Sequence, residues 1–287
     1  MADLQPVELV AVIVAIPGQT DPRVLVIGAP GGVPRLPSGP LRSDHRSLQY
    51  GLRSWVRSQS GLELGFVEQL YTFADRERTG PHGRVVSVSY LGLTSRVGLE
   101  EKPDAQWRGW YDVFPWEDRR GLTDAAWLER HHRFLHGLRE WAGSGADSVR
   151  AARTERVQAA YGLTGRLWAP ENCLQRYELL WEAGLVPESS PIARGAAGGR
   201  LTQLDDPSEP VGRVTDLGTR MLHDHRRILS TGMARLRAKI QYRPVIFELV
   251  PSEFTLGQLQ QTVEAVAGTA VHKQNFRRIV EGQQLVE

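Results

Sequence analysis

The 287-residue chain is 41% hydrophobic and 24% charged, carries a formal net charge of +2, and contains a single cysteine, Cys173. That length suits two domains with modest cores; the near-neutral balance excludes bulk charge as a source of nucleic-acid affinity; and one cysteine excludes an internal disulfide framework and permits a reducing compartment. No apolar run reaches the roughly 20 residues a membrane span needs.

The N-terminus, MADLQPVELVAVIVAI, carries Asp3, Gln5 and Glu8 and no basic lead, so it reads as a first strand and not a signal peptide, and the expected location is cytoplasmic. Val7 to Ile16 and Arg23 to Gly28 are β-branched runs joined by Pro-Gly-Gln-Thr-Asp-Pro, which predicts a hairpin. Next comes Leu36 to Leu62, LPSGPLRSDHRSLQYGLRSWVRSQSGL. This stretch resembles a Nudix box, G-x5-E-x7-R-E-U-x-E-E-x-G-U with U a bulky aliphatic, when the closing G-U is set on Gly61-Leu62. Ser54, Trp55, Val56, Ser58 and Gln59 then stand at the R-E-U and E-E positions, and Arg46 stands where the first Glu belongs.

Residues 46 to 60 contain no Asp or Glu but do contain Arg46, Arg53 and Arg57. A hard divalent cation needs several oxygens converging on one point, so neither a metal site nor metal-assisted pyrophosphate cleavage is expected on this helix. An ordinary amphipathic helix capped by Gly61 is the plainer alternative. Phe66 to Phe73 and Val85 to Thr94 read as further strands around a polar Gly/Pro loop, Arg76 to Arg84. The order fits an α/β sandwich of the Nudix kind.

From about Ala105 the character changes. WRGWYDVFPW concentrates aromatics, and helical segments are predicted at roughly 123–142, 146–161 and 171–184, the last with Leu174, Tyr177, Leu180 and Trp181 as one buried stripe. Cys173 reads as a buried thiol. Residues 187 to 214 are rich in Ser, Gly, Pro and Ala and read as a linker. A long basic helix is predicted from about Thr215 to Gln241, where His223 and His225 suit an interdomain hydrogen bond better than a metal, since positions i and i+2 face apart. The adjacent His131 and His132 are equally poor ligands.

Thr255 followed by Gln258 has capping-box spacing, and Leu256, Leu259, Val263 and Val266 recur at helical intervals to Gly268. A short turn and a second helix, HKQNFRRIV, complete a helix-turn-helix layout, and Gln283 to Glu287 suits a wing strand. Over residues 215–287 ten Lys/Arg face seven acids, a local charge of +3, which favours DNA modestly.

The string from Asp224 to Glu287 resembles the end of the NrtR-type transcriptional regulators, through H-x-x-I-L, A-R-L-R-x-K-I-x-Y-x-P, F-E-L-V-P-x-E-F-T-L-x-x-L-Q and K-x-N-F-R-R. The long helical insertion is similar instead to the larger alphaproteobacterial NadQ regulators of NAD biosynthesis. The resemblance implies an α/β Nudix-like sandwich domain with a helical insertion, followed by a C-terminal winged helix-turn-helix domain. The boundaries are 1–120, 121–214 and 215–287. It also implies a homodimeric repressor of NAD-biosynthesis genes on palindromic double-stranded DNA, with ATP, NAD or ADP-ribose as effector and no catalytic cofactor or metal.

The matching recognition-helix positions are Lys273, Asn275, Arg277 and Arg278, with His272, Gln274 and Thr255 beside them. For the effector, Arg46, Arg53 and Arg57 suit phosphate oxygens, and Trp107, Trp110 and Trp116 suit adenine stacking or, alternatively, a core. Two rival readings stand. One is a Nudix hydrolase of ADP-ribose drawing its ligands from Glu63, Glu68, Glu100 or Glu101; the other is a nucleotide-responsive protein-interaction module.

Overall fold

The computed structural model describes residues 6–29, 31–75, 78–80, 83–95, 97–99, 102–189, 217–240, 244–271, 274 and 276. A mixed sheet organises the N-terminal part. Strand β1 (Val7–Ala15) pairs antiparallel with β2 (Arg23–Ile27) and with the short β3 (Ser38–Pro40). It runs parallel to β7 (Val86–Leu93), which pairs antiparallel with β4 (Phe66–Phe73), and β2 pairs with β8 (Ala105–Gly109). A two-stranded ribbon, β5 (Thr79–Gly80) and β6 (Gly83–Arg84), occupies part of the predicted polar loop. From Leu9 to Ala15 no residue of β1 is accessible, because both faces of the sheet are covered. That is why this strand is an unbroken apolar run and does not alternate.

The predicted box helix is α1 (Leu48–Ser60), capped by Ser47 accepting from the Tyr50 amide and ended by Gly61 at φ 74°. Leu52 and Val56 pack on Leu9, Ala11 and Ile13. On the opposite face Val10, Val12 and Val14 join Ile228, Leu229, Met233 and Leu236 of a long helix, His225–Ile240. Glycine permits that approach: a Cβ on Gly232 would lie 2.8 Å from Val12 Cγ1.

Between them lie α2 (Trp110–Val113), α3 (Asp124–Arg130), α4 (His132–Ala142), α5 (Asp147–Tyr161) and α6 (Cys173–Glu182); the long helix is α7, and α8 spans Leu256–Ala267. One apolar core runs from the sheet through α3–α6 to α7 and α8. Among the described residues no helix is long and apolar enough to cross a membrane.

Three expectations change. The helix predicted over 123–142 breaks at His131, whose φ and ψ of −110° and 15° leave the helical region where its ring packs 4.9 Å from Trp127. The long helix starts at His225 and not near Thr215, because the preceding backbone is taken up elsewhere: Thr219 N–H donates to Asp112 O (2.8 Å) and Leu222 N–H to Pro34 O (2.9 Å). The buried stripe of α6 is Cys173, Arg176, Tyr177, Leu179 and Leu180, while Trp181 is 37% exposed. Cys173 is buried as expected, and burial pushes its thiol up to about 12. Within the linker reading, residues 187–189 form a turn and 190–214 lie outside the described residues.

Candidate functional site

The hairpin predicted to read DNA begins as its sequence says. Thr255 caps α8, accepting from the Gln258 amide (3.2 Å), while Gln258 Oε1 accepts from the Thr255 amide (2.7 Å). Leu259, Thr262, Ala265 and Val266 face inward. Gly268 then turns the chain at φ 70°, where a Cβ would lie 2.2 Å from Glu117 O, so only glycine fits. Glu264 holds the turn by accepting from the Val271 amide (2.9 Å). Beyond it Phe276 is buried and Gln274 is exposed. His272, Lys273, Asn275, Arg277, Arg278 and the wing lie outside the described residues.

The six expected effector residues do not converge. Arg53 donates to Leu64 O and to Gly65 O (2.9 Å), fastening α1 to the next strand. Arg57 is exposed and 3.5 Å from Glu63. Arg46 is exposed with its guanidinium 4.8 Å from the Tyr50 ring centre. Trp107 is half-buried on the α1 side of the sheet and donates to Val97 O (2.9 Å). Trp110 and Trp116 are fully buried in the core on the other side. Both are therefore core residues and not an adenine platform: the Trp116 ring packs against Phe114 and Phe134, and Trp110 lies in the same core as α7.

The carboxylates considered for a displaced metal site are equally scattered. Glu63 accompanies Arg57 beside α1, whereas Glu68 pairs with Lys239 of α7 across the sheet; Glu100 and Glu101 lie outside the described residues.

What the structure does assemble at the start of α1 is a ladder of cations and rings. The Arg42 guanidinium lies 4.3 Å from the Trp55 ring centre, and His45 packs edge-on to both Trp55 and Tyr50 (6.3 Å each). Trp55 donates to Pro40 O (3.0 Å) and lies flat on Gly39, where a Cβ would be 2.3 Å from its ring. Alternating guanidinium and aromatic groups suit a ligand with phosphates and a flat base. The alternation of Arg42, His45, Arg46, Tyr50 and Trp55 is the signal of this ladder in the sequence.

Behind this face, buried charge ties the segments together. Glu117 accepts from Arg176 through both oxygens (2.6 and 2.8 Å) and from Arg237. Arg176 also donates to Ala160 O, Ala169 O and Pro170 O, and Arg237 to Val266 O of α8 (2.8 Å). None of the three side chains is accessible. Burial alone would raise the Glu117 carboxyl, yet the two guanidinium charges hold it below its ordinary value.

His225 Nδ1 accepts from the Leu36 amide (2.8 Å), tying α7 to the segment before β3. Burial drives its pKa down to about 4 against the opposing pull of Glu8 and Asp224, with His223 and Arg78 adding to the depression. A histidine depressed from 6.5 in the folded state is protonated first in the unfolded chain, so stability is lost as pH falls from about 6.5 toward 4, by up to about 3 kcal/mol. His225→Gln, which keeps an acceptor, is expected to flatten the dependence of Tm on pH in that window; parallel curves for the two proteins would refute the assignment.

Residues 246–287 match the NrtR DNA-binding winged helix domain. Among solved structures the chain is similar to the NrtR of Shewanella oneidensis, at 16% identity and TM-score 0.53 over 98% of this chain and 85% of that one. The same protein complexed with a 27mer DNA aligns at 16% identity, TM-score 0.51, over 97% and 83%. A MutT/nudix family protein from Enterococcus faecalis aligns at 15% identity, TM-score 0.55, over 98% and 82%. No curated protein sequence matches the chain.

Fold and C-terminal match define the class: a Nudix-like α/β domain with a helical region, followed by a winged-helix domain. Within that class the chain resembles the NrtR-type regulators, through the match of residues 246–287 and through its fold.

Proposed function

We propose that the chain is a transcriptional repressor of NAD-biosynthesis genes, in which the Nudix-like part senses a nucleotide and does not hydrolyse it. The observation that carries the reading is the winged-helix match over residues 246–287, the segment that holds Lys273, Asn275, Arg277 and Arg278. The loss of every carboxylate from residues 46 to 60 supports the non-catalytic part. In this reading residues 1–120 are the sensor, 121–214 the helical insertion and linker and 215–287 the DNA reader, acting as a cytoplasmic homodimer on a palindromic operator.

The effector is an adenine or pyridine nucleotide, ATP, NAD or ADP-ribose, whose phosphates meet Arg42 and Arg46 and whose base meets Tyr50 or Trp55. It acts by differential affinity for two arrangements of the recognition helices. Helix α7 touches the sheet at Val12 and α8 through Arg237, so it is the element through which the two ends are coupled.

The test is a gel shift of the full chain on promoter fragments of NAD-biosynthesis genes with each nucleotide titrated in, beside Arg42→Ala/Arg46→Ala. Specific binding is expected, with the response to nucleotide lost in the double variant. No specific shift on any fragment would overturn the repressor reading, and metal-dependent turnover of ADP-ribose would overturn the non-catalytic one.

A further inference from the structure

A second cleft lies far from α1 in sequence and opens beside the turn of the helix-turn-helix. It has a volume of about 520 Å³ and is walled by Arg119, Leu122 and Asp124 before and at the start of α3, by Trp168 and Pro170 before α6, and by Thr269 and Ala270 after α8. That volume lies in the range of sites for small organic molecules, about 300–1,000 Å³. The Arg119 guanidinium lies against two indoles, 4.6 Å from the ring centres of both Trp127 and Trp168. Its side chain is only 13% exposed, while that of its partner Asp124 is 89% exposed. The cation is therefore held against two rings with little exposure, while its counter-ion is a solvated carboxylate whose attraction water screens. Trp168 adds a buried indole N–H with no acceptor among the described residues.

We propose that this cleft binds a small phosphate-bearing molecule, whose phosphate takes the place of Asp124 on Arg119 and whose body rests on Leu122 and Pro170. A guanidinium offers a phosphate two parallel donors, and the ring contacts already hold it in one orientation. The backbone adds a consequence. Arg119 N–H donates to Gly268 O (2.7 Å), so a molecule seated between Arg119 and Thr269 presses on the turn that follows α8. The site is distinct from the Arg42 ladder and stands whether or not that ladder senses nucleotides.

The test uses adenosine 5′-monophosphate as probe on the full chain, with adenosine as the control lacking phosphate. Calorimetric titration is combined with amide hydrogen exchange of residues 268–271. Asp124→Asn removes the competing carboxylate and is expected to tighten binding up to about fivefold; a purely structural ion pair would give no such gain. Arg119→Lys is expected to weaken it about tenfold. The Asp124 and Arg119 variants are compared in an Arg42→Ala/Arg46→Ala background, which removes the proposed sensor site, and exchange at 268–271 is expected to slow on binding in that background. Loss of all monophosphate binding in the Arg42→Ala/Arg46→Ala background would overturn this site while sparing the sensor reading. Equal affinity for adenosine, no effect of Asp124→Asn, or no binding of the monophosphate at all would each overturn it.

Discussion

Glu117→Gln is expected to destabilise the protein by about 3–5 kcal/mol, because it removes the one carboxylate shared by two inaccessible guanidiniums. For a chain of this size such a loss lowers Tm on the order of 10 °C. The neutral amide has the shape of the carboxylate but none of its charge, so Arg176 and Arg237 would repel each other with no counter-ion between them. Arg237→Met should cost less, since Glu117 keeps both of its bonds to Arg176. Combining Glu117→Gln with Arg237→Met should be milder than the sum, because the second change removes a charge that the first left unpaired.

The acid limb carries the same sign: a carboxyl held below its ordinary value contributes stability above its unfolded pKa and loses it as pH falls through the folded one. Thermal denaturation of the three variants at neutral and acid pH measures all of this. A Glu117→Gln protein within about 1 kcal/mol of wild type would mean that water reaches the cluster and that the charges are not buried in solution.

That cluster also marks where sequence reading stopped. Signals confined to a few neighbouring residues were readable: the Thr255/Gln258 box, Gly61 as a left-handed cap, and β4, whose predicted bounds are those observed. The Glu117 partners lie 59 and 120 residues away, and no local pattern distinguishes Arg176 or Arg237 from arginines on a solvated face. Arg176 occupies a position on α6 that a hydrophobicity pattern assigns outward, yet it is buried while Trp181 is 37% exposed.

The start of α7 is hidden from local patterns for a related reason: the amides of Thr219 and Leu222 are taken by Asp112 O of α2 and by Pro34 O. At the candidate sites, the absence of carboxylates from the box was plain in the sequence, whereas the fate of each tryptophan was not. Trp107 and Trp110 stand three residues apart yet pack on opposite sides of the sheet, because β8 ends between them and α2 begins.

The larger functional effect is expected at the second helix of the hairpin. Lys273→Ala/Arg277→Ala/Arg278→Ala should weaken specific operator binding by about 100-fold or more, since a base-reading arginine is worth about 1–3 kcal/mol and each phosphate contact adds its own share. The two kinds of contact separate by salt. Each phosphate contact contributes roughly 0.9 to the slope of log affinity against log salt, so Lys273→Ala alone should lower that slope by about one and weaken all sequences alike. An arginine that reads a guanine edge should instead relax discrimination at one operator position and leave the slope nearly unchanged.

The fold should survive the triple change, because the described core beneath the hairpin is built from Leu259, Val266 and Phe276. Circular dichroism and a melting curve check that, and fluorescence anisotropy on specific and scrambled duplexes across a salt series reads the rest. Unaltered affinity and slope in the triple variant would place the DNA contacts elsewhere in the chain, whereas salt-independent association with no sequence preference would favour a protein partner for this hairpin.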